Sequence, residues 1–159
     1  MATTLLILLW RNTVLTINDI IEYYPDVQEY GIIEFESYFT KTQNDIYRLL
    51  EIRWWPVRSK SDYRITDIRI YDEMNSAKLT DSQFTRAAVF HCLSYYILPQ
   101  LTKFDPDGDR FQEQMTYFKG RFEEEFDLIL RKGVEYDDDN DGVVETSEKQ
   151  PVHSGRLVR

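Results

Sequence analysis

Apolar residues recur at helical spacing over three long stretches of the chain. In the first, Ile32, Phe35, Phe39, Ile46, Leu49 and Leu50 recur at steps of three, four and seven, and predict a helix from about Ile32 to Trp55. Thr42 interrupts this stripe without ending it, and Trp54-Trp55-Pro56 closes it. Neighbouring residues on a helix point in different directions, so the two indoles are expected to divide between core and an interface. In the second stretch Asp81 opens a helix on which Phe84, Ala87, Ala88, His91, Cys92, Tyr95 and Leu98 share a face. The alanines predict close approach of another helix, and Pro99 marks the end of the element or a kink just before it. The third pattern is the clearest: Phe111, Met115, Phe118, Phe122, Phe126 and Ile129 follow steps of three and four, with Glu113, Glu123 and Glu124 off that face and Gly133 as a C-terminal cap.

Shorter signals fill the gaps. Thr16-Ile17-Asn18-Asp19 is a capping pattern for a short helix that runs to about Tyr24, because Pro25 cannot continue it. Tyr63, Ile65, Ile68 and Ile70 stand among Arg, Asp and Thr, and residues 57–78 therefore read as a short strand or an irregular turn. Asp105-Pro106-Asp107-Gly108-Asp109 is a turn. From Tyr136 onward apolar periodicity stops and the chain is expected to be extended. The sum is a mainly α-helical protein: a helical bundle over residues 1–133 with a small β or irregular element, and an extended C-terminal tail over residues 134–159.

Composition narrows the class. The chain has 159 residues, 42% of them apolar and 30% charged, enough for one domain with a packed core. Its 9 Phe, 11 Tyr and 3 Trp exceed what a small core needs, so some rings are expected at contacts with other chains. A single cysteine, Cys92, excludes an internal disulfide framework and argues against a Cys-rich zinc site. Net charge is -9, which does not suit a general nucleic-acid clamp. The acidity is confined: residues 105–148 hold 15 acids and 5 bases, whereas residues 149–159 hold no acid and the three bases Lys149, Arg156 and Arg159. This predicts an acidic surface that does not grip DNA, followed by a basic arm. The apolar run Leu5–Trp10 is six residues long, far short of the roughly 20 of a membrane span, and lacks the basic lead and small-residue cleavage site of a signal peptide. It is expected to be a core or edge segment, or an arm that docks on a neighbouring subunit, and the protein is expected to be made in a cytoplasm, with no membrane partner.

One chemical motif is specific in its spacing. Asp137, Asp139 and Asp141 occupy positions one, three and five of a calcium loop of the EF-hand type, Gly142 position six, Val143 the position that offers a carbonyl, and Glu148 position twelve. Calcium takes several hard oxygens on a loop able to fold round it. Against this, Gly133 separates the loop from the preceding helix, Pro151 follows too soon for a normal exiting helix, and sensor proteins use such loops in pairs. The competing interpretation is a solvated acidic turn. Catalysis has little support, and the chain is not expected to be an enzyme. His91 and Cys92 adjoin on a helix and point apart, which predicts a packed histidine and an inert thiol. Glu123-Glu124-Glu125 reads as a solvated helix face, and His153 lies in the tail. No glycine-rich phosphate loop or nucleophile elbow is present.

The order of these parts resembles the head-to-tail connector (adaptor) proteins of tailed bacteriophages. The matching segments are Leu15–Pro25; the helix ending in Tyr95-Tyr96-Ile97-Leu98-Pro99; the acidic-aromatic helix Phe111–Leu130; Gly-Val-Glu-Tyr-Asp-x-Asp-x-Asp-Gly at Gly133–Gly142; and the basic end Arg156-Leu157-Val158-Arg159. Residues 57–78 match nothing distinctive. The resemblance implies a structural virion protein of the neck, assembled in the host cytoplasm. It implies a ring, usually dodecameric, beneath the portal protein, which joins the capsid to tail or neck proteins and through which DNA passes without sequence-specific binding. It also implies an extended C-terminal segment against the portal, where Arg156 and Arg159 would meet carboxylates and Leu157 and Val158 fill shallow pockets. The alternatives are a single-loop calcium-binding interaction protein and another neck or tail-completion protein.

Overall fold

The computed structural model describes residues 14–56, 73–104 and 106–149. The run Leu5–Trp10, the Tyr63–Ile70 stretch, Asp105, Pro151, His153 and the basic end Arg156–Arg159 lie outside the described residues. Among the described residues five helices form the body: α1 (Ile17–Tyr23), α2 (Glu36–Arg53), α3 (Thr85–Cys92), α4 (Leu98–Leu101) and α5 (Arg110–Lys132). A π-helical stretch, Leu93–Ile97, joins α3 to α4 without a break.

Helix α1 begins as its sequence requires. The Asp19 carboxylate accepts from the Thr16 backbone N–H at 2.8 Å and from its hydroxyl at 2.6 Å, closing a capping box. Pro25 ends α1 and opens a 3₁₀ turn, Pro25–Tyr30, that drives Val27 into the core. The next helix starts later than its apolar spacing suggests. Gly31 turns left-handed at φ 73°, residues 32–34 are not helical, and Phe35 caps α2 by accepting from Tyr38 and Phe39. Thr42, expected to interrupt the apolar stripe, is fully buried in it.

Pro99 is a kink and not an end. Proline cannot donate to the carbonyl four residues back, and its ring crowds that turn. The chain responds one turn earlier by widening: Leu98 donates to the Leu93 carbonyl, five residues back, and the Gln100 side chain donates to the Tyr96 carbonyl at 2.6 Å. The extra residue rotates what precedes it, so Tyr95, expected on the apolar face, is exposed, while Ile97 and Leu98 are both buried.

Helix α5 lies along α3 and the π stretch, and α1 and α2 pack on α3 from other sides. Phe118, Phe122, Phe126 and Leu130 bury its apolar face, with Phe111, Met115 and Ile129 at the margins. Ala87 and Ala88 are fully buried, which permits the close helix approach their small size suggested. Asp109 sets the start of α5: its carboxylate accepts from the Gln112 N–H at 2.8 Å, the Lys103 N–H at 2.8 Å and the Thr102 hydroxyl at 2.6 Å. Arg53 pairs with Glu123 at 2.9 Å and Arg86 with Glu125 at 3.5 Å, so two of the three consecutive glutamates tie α5 to α2 and α3.

The β contribution among the described residues is one antiparallel bridge between Leu79 and Tyr136, beside short 3₁₀ turns at Ser76–Lys78 and Asp81–Phe84. Truncating the centre of the α5 face tests this packing. Phe122→Ala is expected to lower the free energy of unfolding by about 3–5 kcal/mol, as for other buried aromatic deletions, in urea denaturation. A loss below about 1 kcal/mol would show that α5 does not close the core.

Candidate functional site

The segment after α5 is held down before it becomes acidic. Gly133 leaves the helix at φ 104°, a region that favours glycine, and a side chain there would come within 3.0 Å of the Lys149 carbonyl oxygen. Val134 is fully buried. Glu135 is clamped by one glutamine: its N–H donates to Gln83 Oε1 at 2.9 Å, and Gln83 Nε2 donates to its carbonyl at 3.0 Å. Thr80 also donates to the Glu135 carbonyl at 3.2 Å, and Asp137 donates to the Lys78 carbonyl at 2.9 Å. The Tyr136 ring packs against both Trp54 (5.6 Å between centroids) and Trp55 (5.4 Å). Trp54 is the core residue of the pair, and the partly buried Trp55 finds its aromatic partner within the same chain. The first residues of the expected tail are thus part of the core. Lys149 Nζ closes the segment on Glu135 at 2.8 Å.

The acidic loop then folds on itself. Asp137 Oδ2 accepts from the Gly142 N–H at 2.9 Å and Oδ1 from the Asp141 N–H at 3.2 Å. Asp141 Oδ1 accepts from the Val143 N–H at 2.8 Å. Asn140 and Gly142, at φ 62° and 89°, supply the tight bend. One carboxylate oxygen from each of Asp137, Asp139 and Asp141 lies within 4.8 Å of the other two. A calcium ion with oxygens at about 2.3–2.6 Å spans such a set, so the three aspartates fit a hard cation.

Glu148 is placed differently. Its Oε1 accepts from the Asp138 N–H at 2.7 Å and its Oε2 from the Glu145 N–H at 2.8 Å. These backbone donors hold its carboxyl below the usual range, Glu145 first and Asp138 next. Glu148 thus clasps the loop through these two backbone amides. Val143 is exposed, next to the cluster in sequence.

A second group of side chains gathers round the buried His91 at the edge of the bundle, where the sequence indicated only a packed histidine. His91 stacks on Tyr95 at 4.5 Å and meets the Phe122 edge at 4.8 Å, with its Nε2 3.8 Å from Asp45 Oδ2. The Tyr96 hydroxyl donates to the same Asp45 oxygen. His91 Nδ1 is buried with no hydrogen-bond partner, and Nε2 lies 3.8 Å from Asp45, beyond hydrogen-bond distance, so the histidine is held by packing. Burial lowers its pKa, with Asp45 and then Glu123 opposing. Beside it, burial pushes the Cys92 thiol up to about 12, which keeps it protonated and unreactive at neutral pH, as expected for a structural cysteine. The link between Asp45 and Tyr96 joins residues 51 apart and had no sequence signal.

No helix among the described residues is long and apolar enough to cross a membrane. Compared with known proteins, the chain matches no family model, no curated protein and no solved structure.

His91 makes a pH dependence testable. A histidine whose pKa is lowered on folding resists a proton that the unfolded chain accepts, so its contribution is intact above about 6.5 and is lost as pH falls below that value. The unfolding free energy should therefore decline on acidification from pH 7 to 5, with a histidine share of at most ~1.4 kcal/mol per pH unit. His91→Gln should flatten this decline; an unchanged slope would place the effect elsewhere.

Proposed function

We propose that the chain is a structural virion protein, a head-to-tail connector that forms a ring beneath the portal of a tailed bacteriophage. The observation that carries this reading is the anchoring of the acidic segment. Helix α5 and the Trp54–Trp55–Tyr136 cluster hold residues 134–149 on the helical body, so the segment that leads into the basic end has a fixed place there. An assembly protein that reaches for a partner with a short basic end needs such a fixed origin. The order of helix, acidic-aromatic helix, acidic loop and basic end is also the order on which the resemblance to connectors rests. The acidic loop, with Asp138, Asp139, Asp141 and Glu145 exposed, presents a surface that repels phosphate, as a channel for sliding DNA requires, whereas acids and bases balance along α5, where Glu124 pairs with Arg121 at 2.7 Å.

On this reading, purified protein added to portal-bearing, tailless heads binds at a single vertex as a ring, visible by electron microscopy. Removal of residues 150–159 leaves the helical circular dichroism unchanged and reduces attachment several-fold. Binding scattered over the shell, or no binding by the full chain, refutes the connector; undiminished binding by the truncated chain refutes the role of the basic end.

A second reading is favoured by the convergence of the three aspartates: a calcium-binding interaction protein built on the loop from Asp137 to Glu148. Charge count sets the affinity of such loops. Titration calorimetry with calcium chloride should then show one site, weakened at least tenfold in Asp137→Asn and in Asp141→Asn. No heat of binding at millimolar calcium removes this reading and leaves the connector standing.

A further inference from the structure

The side of α5 that faces away from the core carries a second stripe. Glu113, Tyr117, Gly120, Glu124, Leu128 and Arg131 recur at steps of four and three, and all six are exposed. Tyr117 is 62% exposed and Leu128 59%. Glycine weakens a helix interior relative to alanine, and a Cβ at Gly120 would meet nothing within 4 Å. The packing of one copy therefore gives no reason for glycine in the middle of its longest described helix.

The charges of the stripe are separated along it. Glu113 stands in the first turn of α5 and Arg131 in the last, about 27 Å apart at 1.5 Å per residue. Neither has an ion pair among the described residues. Between them the Arg121–Glu124 pair, at 2.7 Å, borders Gly120.

We infer that two copies of the chain pair along this face, α5 antiparallel to α5, about a two-fold axis level with Phe122. The stripe is self-complementary about that point. Glu113 comes level with the partner's Arg131, and Arg131 with the partner's Glu113, so an ion pair forms at each end. Tyr117 and Leu128 stand at nearly equal distances from the axis and about 20° apart around the helix. Equal flanks meet in an antiparallel pair, so each Tyr117 covers the partner's Leu128. The partner's Glu124 lies over Gly120, where no side chain blocks it, and reaches Arg121; this close approach is what glycine allows. A parallel pair would instead align the helix dipoles and set like charge against like charge at both ends.

The contact is isologous and pairs two copies. It neither builds a ring nor requires one, and so goes beyond the connector reading without resting on it. A face about 27 Å long and about 10 Å wide falls short of the roughly 800 Å² per partner of a standard interface, so the pair is weak and concentration-dependent.

The charge pattern makes the register testable. Sedimentation velocity from about 10 to about 500 µM should show a monomer–dimer equilibrium for the full chain. Glu113→Arg and Arg131→Glu, each alone, should weaken the dimer at least tenfold, since each sets like charges opposite one another. An equimolar mixture of the two should recover it to within about threefold as a 1:1 heterodimer, because the two changed positions then face each other and the two unchanged ones do likewise. Gly120→Leu, which fills open space in a single copy, should keep the helical circular dichroism and abolish the dimer. A full chain that stays monomeric across this range overturns the inference. So does a mixture no better paired than either charge variant alone, or a Gly120→Leu protein that pairs as the full chain does. A larger assembly formed equally by all three variants also overturns the α5 pairing and leaves the connector reading intact.

Discussion

The packing of the α5 aromatic face on α3 is the constraint from which the rest of the molecule follows. Phe118, Phe122 and Phe126 are buried against a helix that offers Ala87 and Ala88, so large rings meet small residues and the two axes come close. Everything else is referred to this pair. Helices α1 and α2 lie on the remaining sides of α3, and Arg53 and Arg86 pin the glutamates at the edge of α5. Where α5 ends, Gly133 turns the chain back so that Val134 and Tyr136 complete the same core. Side chains that carry charge elsewhere in the sequence are here mostly devices for orientation: Asp19 and Asp109 start helices, and Glu148 closes a loop.

Much of the helical body was legible because periodicity is a local signal. The α5 face is apolar every three or four residues, and the α1 cap needs only Thr16 and Asp19. The failures have physical reasons. Tyr95 falls on the apolar face of a regular helix, but Pro99 forces a wider turn before it and rotates Tyr95 into solvent. Ile32 and Phe35 continue the α2 stripe at helical spacing although the helix begins at Glu36, because spacing does not reveal that Gly31 leaves the chain in a non-helical path. Tyr136 is a lone aromatic in an acidic stretch, and only the tertiary fold brings it to Trp54 and Trp55. The bridge to Leu79 is equally non-local.

The candidate site was legible in part. The spacing of Asp137, Asp139, Asp141 and Gly142 matches the folded loop, and the aspartates do converge. Glu148, placed by spacing at the twelfth position of the loop, accepts from the Asp138 and Glu145 amides in the folded chain, a role that spacing alone did not show. The group of His91, Asp45 and Tyr96 was invisible, because α2 supplies Asp45 while His91 and Tyr96 come from α3 and the π stretch, and only the tertiary fold brings them together. The connector reading proposed above joins these parts: a bundle closed by α5, an acidic loop fixed on that bundle, and a basic end that follows it in sequence.

The central physical claim is that residues 134–149 are a fixed part of the helical body and not a free tail. Amide hydrogen exchange on the full-length chain tests it most directly, because the Thr80 and Asp137 N–H groups bond across the junction between the loop and the body. The account predicts that both exchange slowly, with protection approaching that of amides in the middle of α5. Exchange of Thr80 and Asp137 at unfolded-chain rates, with α5 still protected, would contradict it.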